Sequence, residues 1–257
     1  MYKIMLYCQL GGATDMADFA VKTAIKNSGL AEEDFSIVFI CWKTPKHSYE
    51  WLKDNNFKYV DMKYDEGKGF LWNLYKGWNF GYEVGFKYAD YVCPIATDHS
   101  FYQNWLKNLL AHCSENRIVN CKLIESSEVY NTLHTSRNFG PTVQNKFKQT
   151  EFETFAKTIS RSGIVFDDIQ GLYHENGGHG GSYGHRLDAM PFVVPKDVWK
   201  RFGPMIQTVN QFGTTGDTDF FDRCRTGGVE IVKALNAISY HSGKGETIRN
   251  DSKGIYT

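Results

Sequence analysis

The chain opens on an apolar run, residues 2–8 (YKIMLYC), and then changes period. In DMADFAVKTAIKNSG (15–29) apolar side chains recur at helical spacing and Gly29 closes the segment, which predicts an amphipathic helix. FSIVFICW (35–42) reads as a second buried strand, HSYEWLKDNNF (47–57) as a short helix, and KYVDMKY (58–64) as another short strand. Residues 70–89 predict a long aromatic helix that carries several glycines, DYVCPIATD (90–98) a strand, and FYQNWLKNLLAHCSE (101–115) an amphipathic helix. This alternation over the first 120 residues predicts a parallel sheet with helices on both faces.

The rhythm then breaks. VNCKLIES (119–126) reads as a strand, and residues 130–190 are irregular apart from the helical stretch EFETFAKTIS (151–160). MPFVVPKDVWKRFG (190–203) predicts a strand followed by a short helix, GDTDFFDRCRTGG (216–228) a helix ended by a glycine pair, and VEIVKALNAISYH (229–241) a closing strand. The polar tail 242–257 reads as a loop. With no internal repeat and no low-complexity linker, the economical expectation is one α/β domain over 1–257. It has a nucleotide-binding half at 1–120 and a more irregular half at 121–257.

Composition narrows the possible classes. The 257 residues suffice for a real core. Lys+Arg and Asp+Glu balance at 29 each, so the totals show no basic face for gripping nucleic acid. No apolar run reaches the length of a transmembrane helix, and the N-terminus lacks the basic region and cleavage site of a signal peptide. Six cysteines, at 8, 41, 93, 113, 121 and 224, form no CxxC pair. Cys8, Cys41 and Cys93 lie in or beside apolar runs, which fits a reduced, cytoplasmic compartment.

In open parallel sheets ligands bind beyond the carboxyl ends of the strands. Three polar segments fall at such ends or on a nearby helix: Asp98–His99 after YVCPIA, Asp217 and Asp219 in GDTDFF, and His241 after LNAISY. A hard divalent cation on a diphosphate needs only one or two carboxylates, the phosphates and water, which Asp98 with His241 can supply. Asp217 or Asp219 can serve as a general base. Taken singly, each has an ordinary alternative: a strand-end turn or helix N-cap for the acids, a core hydrogen bond for His241.

Their order resembles that of the GT-A fold glycosyltransferases, in particular the large family 2 type. Asp98, then Trp105–Leu106 and KNLLAH, resembles the second acid of the family's D-x-D and its sequel, and Asn79-Phe80-Gly81 resembles its Asn-x-Gly. Gly216-Asp217-Thr218-Asp219-Phe220, leading to Arg223 and Gly227, resembles the Glu-Asp-x-Asp segment, and His241 the His after a late strand. Ala96 stands where the family has its first D-x-D acid, and Gly216 where it has Glu.

The resemblance covers roughly residues 2–110 and 190–247. It implies a GT-A type, Rossmann-like, mostly parallel sheet flanked by helices, whose second half faces the acceptor. It implies transfer of a sugar from a nucleotide-diphosphate sugar to a hydroxyl, with inversion, assisted by Mn²⁺ or Mg²⁺. Asp98, His241 and His99 would hold the metal. Asp217 would be the base, with Asp219 second. Donor contacts would come from Gln9, Gly11, Trp42, Lys68, Asn79, Thr97 and Asp98. For Trp42, core packing is an equal alternative to stacking on the base, and for Lys68 a solvated position is the alternative. Gly181, Ser182 and Tyr183, in the Gly/His-rich run HENGGHGGSYGH (174–185), would touch the acceptor as part of a closing loop; the run also fits a surface loop. The acceptor could be a surface glycan, a lipid-linked sugar, a protein or a hydroxymethylated phage DNA base, the last disfavoured by the neutral charge. Two other readings stand: a sugar nucleotidyltransferase, disfavoured because GGATDMAD carries no Lys or Arg, and a non-catalytic nucleotide-sugar-binding module.

Overall fold

A computed structural model describes residues 1–126, 137–166, 190–208 and 216–243. Its first third follows the alternation in the sequence: β1 (Ile4–Leu10), α1 (Thr14–Lys26), β2 (Phe35–Cys41), α2 (Lys46–Asp54), β3 (Lys58–Asp61), α3 (Phe70–Gly85) and β4 (Tyr91–Ile95). β1 pairs in parallel with β2 and β4, and β2 in parallel with β3. β1 is almost wholly buried because both of its faces are covered. Ile4, Leu6, Cys8 and Leu10 pack with Ala17 and Val21 of α1, whereas Met5 and Tyr7 pack with Tyr75, Trp78 and Tyr82 of α3.

The glycines of α3 have a packing reason. A Cβ at Gly77 would meet the Gln9 side chain at 2.2 Å, at Gly81 the Tyr7 ring at 2.5 Å, and at Gly85 Val92 at 2.7 Å. Residues four apart share one helix face, so this bare stripe lets α3 lie close against β1 and β4. Each helical glycine costs about 1 kcal/mol against alanine in propensity, which the close contact offsets.

The second half completes the same sheet with antiparallel as well as parallel strands. It contributes β5 (His99–Phe101), α4 (Trp105–Leu110), β6 (Arg117–Glu125), α5 (Gln149–Ile159), β7 (Ile164–Phe166), β8 (Phe192–Pro195), α6 (Lys196–Phe202), α7 (Gly216–Thr226) and β9 (Glu230–His241). Among the described residues the strand order is β3-β2-β1-β4-β8-β6-β9-β5, with β7 also on β9. The expected helix over 101–115 is shorter than its pattern. Phe101 belongs to β5, and Asn104, at φ 62°, turns the chain before α4 begins at Trp105.

β9 carries a bulge. Cys121 pairs with Ala234, but its neighbour Lys122 pairs with Ile238, so 235–237 are extra. Before the bulge β9 pairs with β7, and beyond it with β5. Past the bulge, Ile238 and Tyr240 join Ile124, Phe139 and Phe152 in a separate core beneath α5.

Candidate donor and metal site

Because β1 and β4 run parallel, with Cys8 opposite Ile95, the segments that follow them leave the sheet side by side at its carboxyl edge. Leu10 and Gly11 emerge there from β1, Thr97 and Asp98 from β4. The chain then turns back as β5, whose register sets His99 opposite His241, while β6 sets Glu125 opposite His241 from the other side. Register partners project on one face, so Glu125, His241 and His99 form a row across three strands, with Asp98 next to it.

The row is tightly connected. His241 Nε2 lies 3.0 Å from Asp98 Oδ2, and His241 Nδ1 lies 2.7 Å from Glu125 Oε2. The rings of His99 and His241 meet edge to face at 5.1 Å. Asp98 is 5% exposed and His99 2%, yet the His241 side chain keeps 27% of its surface. Burial pushes the Asp98 carboxyl up, but the charge and hydrogen bond of His241 outweigh it and bring Asp98 down to about 2. Burial likewise opposes a charge on His241, but Asp98 and then Glu125 hold its imidazolium well above the ordinary His range. For His99 burial comes first and the like charge of His241 second; together they press it down to about 3 against the pull of Asp98. The surroundings thus favour the neutral form of His99 and the charged form of His241, their rings 5.1 Å apart.

This row fits a metal. Asp98, His99 and His241 each offer a ligand atom, all within 4.8 Å of one another. His99 Nδ1 is buried with no hydrogen-bond partner, which costs free energy unless something accepts its lone pair. A cation needing His241 Nε2 would take the place of the proton now shared with Asp98.

The other expected residues lie in distinct settings. Gln9 accepts a hydrogen bond from Trp42 Nε1 (2.8 Å) and donates to the Leu74 carbonyl (3.1 Å), which anchors its amide against α3. Trp42 is 5% exposed and stacks on Tyr64 (5.7 Å, 14° between planes). Asn79 is buried, and both ends of its amide bind the backbone of Met205, donating to the carbonyl at 2.8 Å and accepting from the N–H at 2.9 Å. It clamps α3 to the segment after α6. Lys68 is exposed, with Nζ 4.8 Å over the Trp72 ring. Its loop is held by Asn73, whose amide bonds Asp65, Lys68 and Gly69. Gly11 and Thr97 are buried just past the ends of β1 and β4. Gly181, Ser182 and Tyr183 lie outside the described residues.

Asp217 and Asp219 occupy the first turn of α7, where the positive helix end favours carboxylates, while Arg223 and Arg225 occupy the last. Asp217 accepts a hydrogen bond from the Tyr75 hydroxyl at 2.8 Å, whereas Asp219 is paired with Arg223 at 2.8 Å. The glycine at 216 has a steric cause: a Cβ there would sit 2.2 Å from the Tyr75 ring. Tyr75 and Glu125 were not foreseen. For Glu125 the one available signal was an acid at a strand end; for Tyr75 there was none, since it reads as core.

A sheet parallel at one end and mixed at the other, flanked by helices and carrying an Asp/His group at its carboxyl edge, defines a GT-A-like fold. Among solved structures, that of GalNAc-T7 with UDP, GalNAc and Mn²⁺ matches 94% of this chain with a TM-score of 0.59 and 10% identity. The chain spans 44% of the length of that structure, and at this identity the likeness is one of fold alone. No family model matches the chain, and no curated protein sequence does.

Proposed function

We propose that this protein is a metal-assisted glycosyltransferase that moves a sugar from a nucleotide-diphosphate sugar, a UDP-sugar first among them, to an acceptor hydroxyl with inversion. The observation that carries this reading is the Asp98–His99–His241 group, with its orphaned His99 nitrogen, at the carboxyl edge of a GT-A-like sheet. Two imidazoles beside a single carboxylate suit a first-row transition ion better than Mg²⁺, so Mn²⁺ is the metal proposed. When bound, it supplies Lewis-acid neutralisation of the diphosphate leaving group.

The chain's own residues do the rest. Gly11 and Thr97 bring backbone close to the donor at the strand ends, and Lys68 reaches toward the phosphates. Gln9 and Trp42 shape the floor beneath the base through their mutual hydrogen bond. Asp217, held by Tyr75, takes the proton of the acceptor hydroxyl; Asp219, balanced by Arg223, is the poorer base. Gly181, Ser182 and Tyr183 are proposed to contact the acceptor, and the half 121–257 to bind it.

The test is a thermal-shift panel of nucleotide sugars with Mn²⁺, with Mg²⁺ and with chelator, followed by turnover of the best donor in Asp98→Asn and Asp217→Asn. Stabilisation by one nucleotide sugar that requires Mn²⁺, with turnover lost in both variants, is expected. Full turnover in both variants would overturn the mechanism.

A further inference from the structure

Glu125 has no part in the reading above, yet it is built into the row. The last register pair of β6 with β9 sets it opposite His241, and its Oε2 lies 2.7 Å from His241 Nδ1. The contact is fixed from the backbone on both sides. Ser126 donates its N–H to the His241 carbonyl at 3.0 Å, and the Glu125 carbonyl accepts from the Arg137 N–H at 3.1 Å. The carboxylate is 9% exposed, so water competes little for it.

An imidazole has two nitrogens, and a hydrogen bond at one decides which way the other points. Here Glu125 accepts from Nδ1, and Nε2 is turned toward Asp98. We infer that Glu125 is the positioning residue of the metal site: by accepting the Nδ1–H it holds the His241 ring so that Nε2 faces the same space as Asp98 and His99. This rests on the metal reading proposed above. A carboxylate behind a ligating histidine orients the ring and strengthens it as a ligand, and its loss lowers metal affinity by about 10–100-fold. The competing explanation is an ion pair that merely ties β6 to β9.

The two explanations separate by Mn²⁺ binding. Metal-free wild type, Glu125→Ala, Glu125→Met and Glu125→Gln are titrated with Mn²⁺ by calorimetry, after circular dichroism confirms that each is folded. Glu125→Ala and Glu125→Met remove the acceptor, the second refilling its volume and deciding the matter where the first fails to fold. Both should bind Mn²⁺ about 10–100-fold more weakly and show reduced imidazole-nitrogen modulation in the electron spin echo of bound Mn²⁺. Glu125→Gln keeps an acceptor oxygen and should stay within a few-fold of wild type. Wild-type affinity in the Ala or Met variants overturns the role of Glu125 alone, as does a loss in Glu125→Gln equal to theirs. A wild-type protein that takes up no Mn²⁺ overturns the metal reading and this inference with it.

Discussion

Asn79 is expected from the resemblance to contact the donor and in the structure binds the backbone of Met205, and replacing it separates the two roles. In Asn79→Ala the buried N–H and C=O of Met205 both lose their partners. Each lost hydrogen bond is worth about 1 kcal/mol net, and a buried group left unpaired costs about 1–3 kcal/mol. The two ends together give a destabilisation of about 3–4 kcal/mol. For a chain of this size that lowers Tm by about 10 °C. Asn79→Asp is no rescue, since a carboxylate accepts from Met205 N–H but sets an oxygen against its carbonyl. Urea unfolding of both variants should show a lower midpoint at unchanged slope, and nucleotide-sugar affinity in the folded fraction should stay at the wild-type level. A loss of stability below about 1 kcal/mol, combined with weakened nucleotide binding, would show that the clamp is not the role of Asn79.

Mn²⁺ at a hundred times its Kd should stabilise the wild type by about 2.7 kcal/mol in a thermal-shift titration, and Asp98→Asn or His241→Ala should abolish that shift. Tyr75→Phe should lower kcat with little change in KM for the donor, and should cost about 1 kcal/mol in urea unfolding; unchanged kcat would remove Tyr75 from the mechanism. Gly216→Ala must displace the Tyr75 ring and should cost about 1–3 kcal/mol by the same measure. For pH, the signs oppose one another. His99, lowered from 6.5 to about 3, contributes stability that is full above pH 6.5 and drains away as pH falls toward 3. His241, raised, contributes stability that is full below pH 6.5 and is lost as pH rises. Asp98, lowered from 3.8 to about 2, matters only in stronger acid. In chelator, His99→Gln should therefore lose about 2 kcal/mol less stability than the wild type between pH 7 and pH 5. Equal losses would contradict the burial of a neutral His99.

The parallel half of the fold was legible because its inner strands are covered on both faces, so burial writes itself as apolar runs such as IMLYCQL and FSIVFIC. Asp98 and His241 were legible for a different reason: each ends such a run. β5 was not, because three residues carry no period, and Phe101 fitted the helical pattern that follows it. Glu125 was hidden because its meaning depends on a partner 116 residues away, set by strand register rather than by spacing. Gln9 and Trp42 were legible as a pair of polar-tipped residues at strand ends, but not as partners of each other. Asn79 is the converse case: the motif that drew attention to it is satisfied by a backbone clamp no local pattern announces.

The bulge in β9 acts on the site as a frame. Along a regular strand, His241 would stand an odd number of residues from Ala234 and face the opposite side of the sheet. The three residues 235–237 reset that phase, so that His241 points with Cys121 and Ala234, and Ile238 and Tyr240 turn to the core under α5. Drawing 235–237 into a regular ladder would act as a spatial frameshift. The letters ISYH would be unchanged, but every side chain would swap sides, burying His241 against Phe139 and Phe152 and lifting Tyr240 into the place beside Asp98. The facing of His241 toward Asp98 and His99 is therefore encoded as much in the bulge between Ala234 and Ile238 as in the identity of any of the three side chains.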